Sequence, residues 1–140
     1  MSRVLGVDLG SRRIGLAISD EDRRVASAFQ VLQRGRSHEV DHAELANVVA
    51  DVGATLVVVG LPLSLSGHAG PAAQAVQAEV AELRRAVGVP VELCDERYTT
   101  VVARRAMATG GRRRPAVERS VVDMMAAAAI LQTWLDSHVA

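Results

Sequence analysis

The sequence is short of several residue types, and each shortage excludes a class of protein. Its 140 residues include one cysteine, three aromatic residues and no lysine. The single cysteine, Cys94, excludes an internal disulfide and a metal cluster built on thiolates, so we interpret it as a small core residue. Phe29, Tyr98 and Trp134 are too few for a protein that stacks successive bases of a single strand on its rings. The core must therefore be built from Val, Leu, Ile and Ala.

Long apolar runs are missing as well. None reaches the roughly 18 residues that a membrane-spanning helix needs, and the first residues lack the pattern of a signal peptide. We therefore expect a cytoplasmic protein without a membrane segment. A length of 140 residues allows one core, which predicts a single domain over residues 1–140.

The positive charge of the chain comes from arginine alone. The formal net charge is zero, yet residues 97–119 contain seven arginines and one acid, Glu118. Guanidinium groups bind phosphate through paired hydrogen bonds, so this segment predicts a phosphate-binding face. A genome rich in G and C would also favour arginine codons, and the run would then be an ordinary solvated surface.

Residues 4–19 predict two strands joined by a short polar turn, with Asp8 inside the first strand. A carboxylate in a buried strand loses much of its hydration unless a cation, hydrogen-bond donors or a raised pKa compensates. Gly6, Gly10 and Gly15 would let a ligand or another backbone approach it closely. The alternative is a hairpin in which the aspartate caps the turn.

The rest of the chain alternates between strand and helix patterns. Strands are predicted over 25–32, 55–59 and 91–94, and helices over 38–52, 71–87, 98–109 and from about residue 120 onward. Ser37 and Gly53 delimit the first helix, and Pro71 opens the second. The stretch 109–117 predicts a mobile loop. His38 and His42, four residues apart, could hold a metal, but such a pair more often belongs to a solvated face.

This order of elements predicts an α/β fold with a mixed five-stranded sheet and helices on both faces. The first three strands form a meander, and right-handed crossovers make the central first strand parallel to the fourth and fifth. Asp8 and the pair Asp95 and Glu96 then lie at one edge of the sheet. Because side chains alternate along a strand, only one of that pair can share a face with Asp8.

Asp123 is the one charge in the first turns of the last helix, which are apolar nearly all round and which we expect to be buried. It shares a helical face with Ala127, Ile130 and Trp134, so it points inward. Ser120-x-x-Asp123 also matches a capping box, which leaves open whether Asp123 is a ligand or a cap.

Three carboxylates brought together from distant segments would repel one another unless cations lay among them. Oxygen ligands without His or Cys favour Mg²⁺ or Mn²⁺. Two such ions about 4 Å apart promote phosphodiester hydrolysis by activating a water and stabilising the leaving oxygen.

Four segments, GVDLGSRRIGLAISD, VVVGLPLSLSG, DERYTT and VVDMMAAAAIL, resemble in order the four motifs of the YqgF family of RNase H-like nucleases. Members of this family are described as Holliday junction resolvases and as nucleases that mature the 5′ end of the small-subunit ribosomal RNA precursor. The resemblance implies an RNase H-like fold, with Asp8, Glu96 and Asp123 as the catalytic and metal-binding acids. Asp95 would then pair with Arg97 or cap the next helix. The chain has Ser64 where members often have Asn, and Arg119 is the nearest match to a basic residue that often precedes the last Asp.

The leading interpretation is a metal-dependent endonuclease acting on structured nucleic acid, either a DNA junction or precursor ribosomal RNA. The predicted nucleic-acid-binding residues are Arg12, Arg13, Ser64, Arg97, Arg104, Arg105, Arg112, Arg113, Arg114 and Arg119. We expect a monomer or weak homodimer, because the sequence shows no obvious exposed apolar seam. The alternatives are a catalytically weak nucleic-acid-binding module of the same fold and a small ATP-binding protein, since D-L-G-S also resembles the phosphate loop of actin-like and sugar kinases. Those kinases need two lobes, whereas a chain of 140 residues allows only one core.

Overall fold

The computed structural model describes residues 2–64, 66–98 and 116–138. The described elements are, in chain order, β1 (Arg3–Leu9), β2 (Arg13–Ser19), β3 (Ala26–Gln33), α1 (His38–Val52), β4 (Ala54–Leu61), α2 (Pro71–Ala86), β5 (Val91–Asp95), a short 3₁₀ turn (Glu96–Tyr98) and α3 (Ala116–Ser137). The helix predicted over 98–109 lies almost wholly outside the described residues. So does the predicted loop over 109–117, except for its last two residues, which belong to α3.

The five strands form one sheet in the order β3-β2-β1-β4-β5. Strands β1, β2 and β3 pair antiparallel as a meander, whereas β1 pairs parallel with β4 and β4 pairs parallel with β5. The predicted mixed sheet with a central first strand is therefore confirmed. The carboxyl ends of β1, β4 and β5 lie at one edge, which we call the carboxyl edge.

Helices cover both faces of the sheet, as predicted. Leu5, Val7 and Leu16 point to the face that α1 and α2 cover, where they pack against residues such as Leu45 and Val80. The alternate positions point to the other face, where α3 covers them with buried residues that include Ala127, Ile130, Leu131 and Trp134. Each sheet residue therefore belongs to the α1–α2 side or to the α3 side.

The predicted ends of the first two helices agree closely with the structure. The Ser37 side chain accepts a hydrogen bond from the Val40 backbone N–H at the start of α1, and Gly53 ends the helix in the left-handed conformation with φ 70°. Helix α2 begins at Pro71 and ends at Ala86, one residue short of the prediction.

The prediction for α3 was wrong in two respects. The helix begins at Ala116, so Ser120 lies inside it and cannot be its N-cap. Val117, Val121 and Met125 form a stripe that is 75%, 41% and 42% exposed, because α3 packs on the sheet through one face only. Although α3 is 22 residues long, neither it nor another helix in the described part of the chain has the sustained hydropathy of a membrane span.

Candidate active site

Asp8 lies near the carboxyl end of β1 and is only 5% exposed. Its neighbour across the antiparallel ladder is Gly15. A Cβ on Gly15 would overlap the backbone carbonyl oxygen of Asp123, so the missing side chain is what lets α3 approach β2 at this point. Close contact between α3 and β2 therefore brings Asp123 beside the strand pair that carries Asp8.

Asp123 is paired with Arg13, the first residue of β2. The Arg13 Nε donates to Asp123 Oδ2 at 2.5 Å, and the two side chains are 20% and 24% exposed. We predicted Arg13 as a nucleic-acid ligand and Asp123 as a ligand or a cap. The structure excludes the capping box and shows instead a charge-assisted hydrogen bond between the two residues.

Glu96 follows β5 and is only 1% exposed. Its carboxylate lies against Gly60, where a Cβ would come within 2.5 Å of Glu96 Oε1 and of Ile130 Cδ1 on α3. Cys94, two residues earlier, packs on the same side. Glu96 therefore lies on the α3 side of the sheet, as Asp8 does, in a recess that only glycine at position 60 leaves open.

Asp95 has a different environment from Glu96. Its carboxylate accepts from the backbone N–H of Arg97 at 2.9 Å and from Arg97 Nε at 2.7 Å. Hydrogen bonds from Arg97 hold the pKa of Asp95 below its usual range. The predicted pairing of Asp95 with Arg97 is confirmed. The positive charge of Arg97 is therefore partly compensated by the carboxylate of Asp95.

Cys94 is a core residue, as predicted. Burial, followed by the nearby charges of Asp95 and Glu96, raises the pKa of the Cys94 thiol to about 11. A thiol that stays protonated is a poor nucleophile.

A cleft of about 740 Å³ opens at the carboxyl edge. Asp8 and Asp123 line it together with the β1–β2 turn, the segment from Arg34 to His38, Pro62 and one face of α2. Glu96 is not among the residues that line the cleft. Among the described residues, the carboxylates of Asp8, Glu96 and Asp123 do not form a group with all ligand atoms within 4.8 Å of one another. Arg13 supplies positive charge to one of the three, Asp123.

The cleft also contains an ion-pair network that the sequence did not reveal. The Arg34 guanidinium donates to both oxygens of Glu79 at 2.6 and 2.9 Å and to Asp41 Oδ2 at 3.1 Å. Its Nε donates to the backbone carbonyl of Gly10 at 3.0 Å. Burial alone would raise the pKa of Glu79, but hydrogen bonds from Arg34 and His42 hold it below its usual range. The bond to Glu79 in turn raises the pKa of Arg34.

The prediction that His38 and His42 form a solvated face was wrong for His42. His42 is buried, with Nε2 2.8 Å from Glu79 Oε2, whereas His38 is exposed and has Nδ1 2.9 Å from Glu82. His38, His42 and Glu79 each offer a ligand atom within 4.8 Å of the others, a geometry that a metal ion could use. Because Arg34 already neutralises Glu79, we interpret the cluster as part of the ion-pair network.

The remaining predicted contacts to nucleic acid divide into three groups. Arg12 is exposed on the β1–β2 turn, and Ser64 is exposed in a turn that its hydroxyl closes by accepting from the His68 backbone N–H at 3.0 Å. Arg119 is half-buried in the first turn of α3. The others lie outside the described residues: Arg104, Arg105, Arg112, Arg113 and Arg114.

The mixed sheet, with acids from β1, the end of β5 and α3 on one side, defines an RNase H-like fold. The solved structure "T. thermophilus RuvC in complex with Holliday junction substrate" superposes with a TM-score of 0.57 at 16% identity, covering 98% of this chain and 95% of that one. A second structure, of Thermus thermophilus RuvC, gives 0.53 at 16% identity and covers 96% and 95% of the two chains. At this identity the likeness is one of fold.

Family membership follows from the sequence. Residues 2–137 match the family "RuvX: Holliday junction resolvase", and the chain belongs to that family. A protein of Mycobacterium sp. (strain KMS) named "Putative pre-16S rRNA nuclease" is 41% identical over 137 residues, which cover 97% of this chain and 80% of the relative. A protein of the same name from Mycobacterium tuberculosis (strain ATCC 25177 / H37Ra) is 42% identical over 139 residues, which cover 99% and 81%. The YqgF family predicted from the four motifs is thereby confirmed.

Proposed function

We propose that the protein is a divalent-metal-dependent endonuclease that hydrolyses phosphodiester bonds in structured nucleic acid. The observation that carries the proposal is the contact at Gly15, which brings Asp123 of α3 beside the strand pair of Asp8 in one open cleft. Membership of a family described as resolvases supports the same reaction class. We further propose that residues 1–140 act as one nuclease domain and that it works in the cytoplasm.

Asp8, Glu96 and Asp123 are the residues that would hold the metal. Their donor set is oxygen only, which fits Mg²⁺ or Mn²⁺, and Gly60 leaves room for the Glu96 carboxylate. A pair of such ions would supply an activated water and stabilise the leaving oxygen.

The residues of the chain do the positioning. The β1 ladder and the α3 contact fix Asp8 and Asp123 relative to each other. Arg13, which lines the cleft and bonds to Asp123, would contact a substrate phosphate.

The substrate that we propose first is the 5′ end of pre-16S rRNA, because the relatives at 41% and 42% identity carry that name. The family description favours a four-way DNA junction as the second candidate. Cleavage of a precursor-RNA mimic and of a synthetic junction by the purified protein, with Mn²⁺ and with EDTA, distinguishes them. Metal-dependent cleavage of either supports the nuclease. Binding without cleavage of both would favour the catalytically weak module.

A further inference from the structure

The cleft continues beyond the acids into a second part, of which only Arg12 was among the predicted site residues. One wall is the β1–β2 turn with Ser11 and Arg12, and the other is the β3–α1 turn with Gly35, Arg36 and Ser37. We call this part the Arg12–Arg36 arm. Arg36 was not predicted from the sequence, because it stands in a polar stretch between a strand and a helix.

Arg34 fixes the two walls of the arm relative to each other. Its Nε holds the Gly10 carbonyl of one turn, while its own backbone N–H donates to the Arg12 carbonyl at 3.0 Å. The backbone N–H of Gly35, in the other turn, donates to Asp41 at 2.7 Å, and Asp41 also accepts from Arg34. The rim of the arm is therefore preorganised, which lowers the entropic cost of binding a ligand.

The charges of the arm favour an anionic ligand. Asp41 and Glu79 are its acids, and Arg34 bonds to both but offsets only one of their two charges. With Arg12 and Arg36 counted, three arginines face two acids, so the arm keeps a formal net charge of +1. Arg12 and Arg36 are exposed, one on each of the two turns, and no side-chain hydrogen bond or ion pair joins either of them to another residue in the described part of the chain. Two guanidinium groups are thus available to phosphate oxygens, for which their planar donor geometry is suited.

The same lining shows what the arm would not recognise. No Phe, Tyr or Trp lines the cleft within the described residues. Within the described residues, the arm therefore offers guanidinium groups that suit the sugar-phosphate backbone and no Phe, Tyr or Trp ring for base stacking.

We propose that the Arg12–Arg36 arm binds the sugar-phosphate backbone of the substrate strand beyond the phosphate that is cleaved. This proposal rests on the proposed function, since it takes the substrate to be a nucleic acid. Under this proposal, Arg12 and Arg36 together contribute affinity for nucleic acid that does not depend on the three acids or on the metal that these acids would hold.

The test is binding without catalysis. In EDTA, fluorescence anisotropy measures the affinity of the full chain for a labelled four-way junction and for a precursor-RNA mimic at several salt concentrations. Arg12→Ser/Arg36→Ser should bind more weakly, with the slope of log K against log salt about 1 to 2 units shallower, because about 0.7 to 0.9 counterion is released per phosphate contact. With Mn²⁺, the same variant should raise KM and leave kcat nearly unchanged.

The matched control is Arg24→Ser/Arg85→Ser, which removes two exposed arginines that do not line the cleft. These residues lie at the β2–β3 turn and at the end of α2, opposite the carboxyl edge. The control should keep the wild-type slope, and both variants should unfold at the wild-type temperature because the side chains are exposed. Equal slopes for the arm variant and the wild type would contradict the proposed binding role of the arm but would not contradict the proposed nuclease activity. Failure of the wild type to bind either probe would instead contradict the proposed function, and the arm with it.

Discussion

Asp8 is the residue whose substitution tests the proposed chemistry most directly. Asp8→Asn should reduce cleavage to background, because a neutral amide binds a divalent cation more weakly than a carboxylate does. Its free energy of unfolding without metal should equal or exceed that of the wild type, since one buried negative charge has been removed from among the acids. Asp51→Asn, an exposed aspartate near the end of α1, is the matched control and should change neither quantity. Wild-type cleavage by Asp8→Asn, with contaminating nuclease excluded, would contradict the site.

The ion pair between Arg13 and Asp123 predicts a competition that calorimetry can measure. A guanidinium about 4 Å from a divalent ion repels it by about 2 kcal/mol even in water-like surroundings. Arg13→Gln should therefore bind Mn²⁺ roughly 30-fold more tightly, and Asp123→Ala should bind it more weakly. Unchanged Mn²⁺ affinity in both variants would show that Asp123 is not a ligand.

At the scale of single residues, the three acids stay a prediction from the sequence, whereas Arg34 and Arg36 were not singled out from it at all. Asp8 and Asp123 stand out because each interrupts an apolar element, and the motif resemblance identified Glu96. Glu79 carried a weaker signal, since it lies on the same face of α2 as Val76, Val80 and Leu83. Arg34 gave none, because its partners come from α1, α2 and the β1–β2 turn, which no local pattern connects.

Among the elements, the packing of α3 on β2 is what the site depends on most. Gly15→Ala should cost about 1 to 3 kcal/mol of stability, because the added methyl overlaps the Asp123 carbonyl and α3 must move. Cleavage should fall as well, since the same movement displaces Asp123. Gly88→Ala is the control, because nothing lies within 4 Å of the Cβ that it would add. Chemical unfolding measures both, and equal stability of Gly15→Ala and the wild type would contradict the close contact.

The junction of β3, α1 and α2 predicts a pH dependence. At pH 7, Glu79→Gln should cost about 1.5 to 3 kcal/mol, because Arg34 loses its main ionic acceptor and keeps only Asp41. Since the pKa of Glu79 is lowered in the fold, its contribution is complete above the usual carboxyl pKa of about 4.3 and is lost as pH falls through the lower folded value. The stability difference between variant and wild type should therefore shrink in acid.

Glu82→Gln is the control for that measurement, because Glu82 lies on the same helix but pairs with the exposed His38. The hydrogen bond between His38 and Glu82 raises the pKa of His38. The stability that this pair contributes is therefore complete below the usual histidine pKa and is lost as pH rises through the higher folded value, which is the opposite of the pH dependence expected for Glu79. An exposed pair contributes less than about 1 kcal/mol. A pH-independent difference for Glu79→Gln would contradict the network.

The elements themselves were predictable where their ends carry a chemical signal. Ser37, Gly53 and Pro71 each act through the backbone within one turn, and all three were placed correctly. The start of α3 was misplaced because Ser120 and Asp123 form a capping pattern that is equally compatible with a helix interior. Whether Ser120 is the N-cap or lies inside the helix depends on the residues before it, and their composition gave no helix signal.

For the whole molecule, the proposed substrate and the oligomeric state are linked. Cutting a four-way junction symmetrically needs two active sites and hence a two-fold dimer, whereas trimming one RNA end needs a single site. We expect light scattering at low micromolar concentration to show a monomer or a weakly associating dimer. A tight dimer would favour the junction as substrate.

The topology of the five-stranded sheet was predicted because few arrangements satisfy its element order. Once β1 to β3 form a meander, the right-handed crossovers through α1 and α2 fix β4 and β5 on the other side of β1. Which helix covers which face follows from those crossovers, and α3 then covers the remaining face. The cleft could not be predicted in the same way. Part of its lining consists of the β1–β2 turn and the β3–α1 turn, and Arg34 holds these two turns together.

The order in which the chain is synthesised has a consequence for when the site becomes complete. Asp8, Arg34 and Glu79 all precede residue 80, so the β1–β2 turn and its ion-pair network can assemble early. Asp123 is synthesised later, on α3, the helix that also covers the apolar face containing Val4 and Val58. A nascent chain that has not yet exposed α3 to solution therefore has two of its three acids and an uncovered apolar surface. Completion of the proposed acid set and burial of that surface are the same event, so the proposed reactive centre forms only when α3 packs on the sheet.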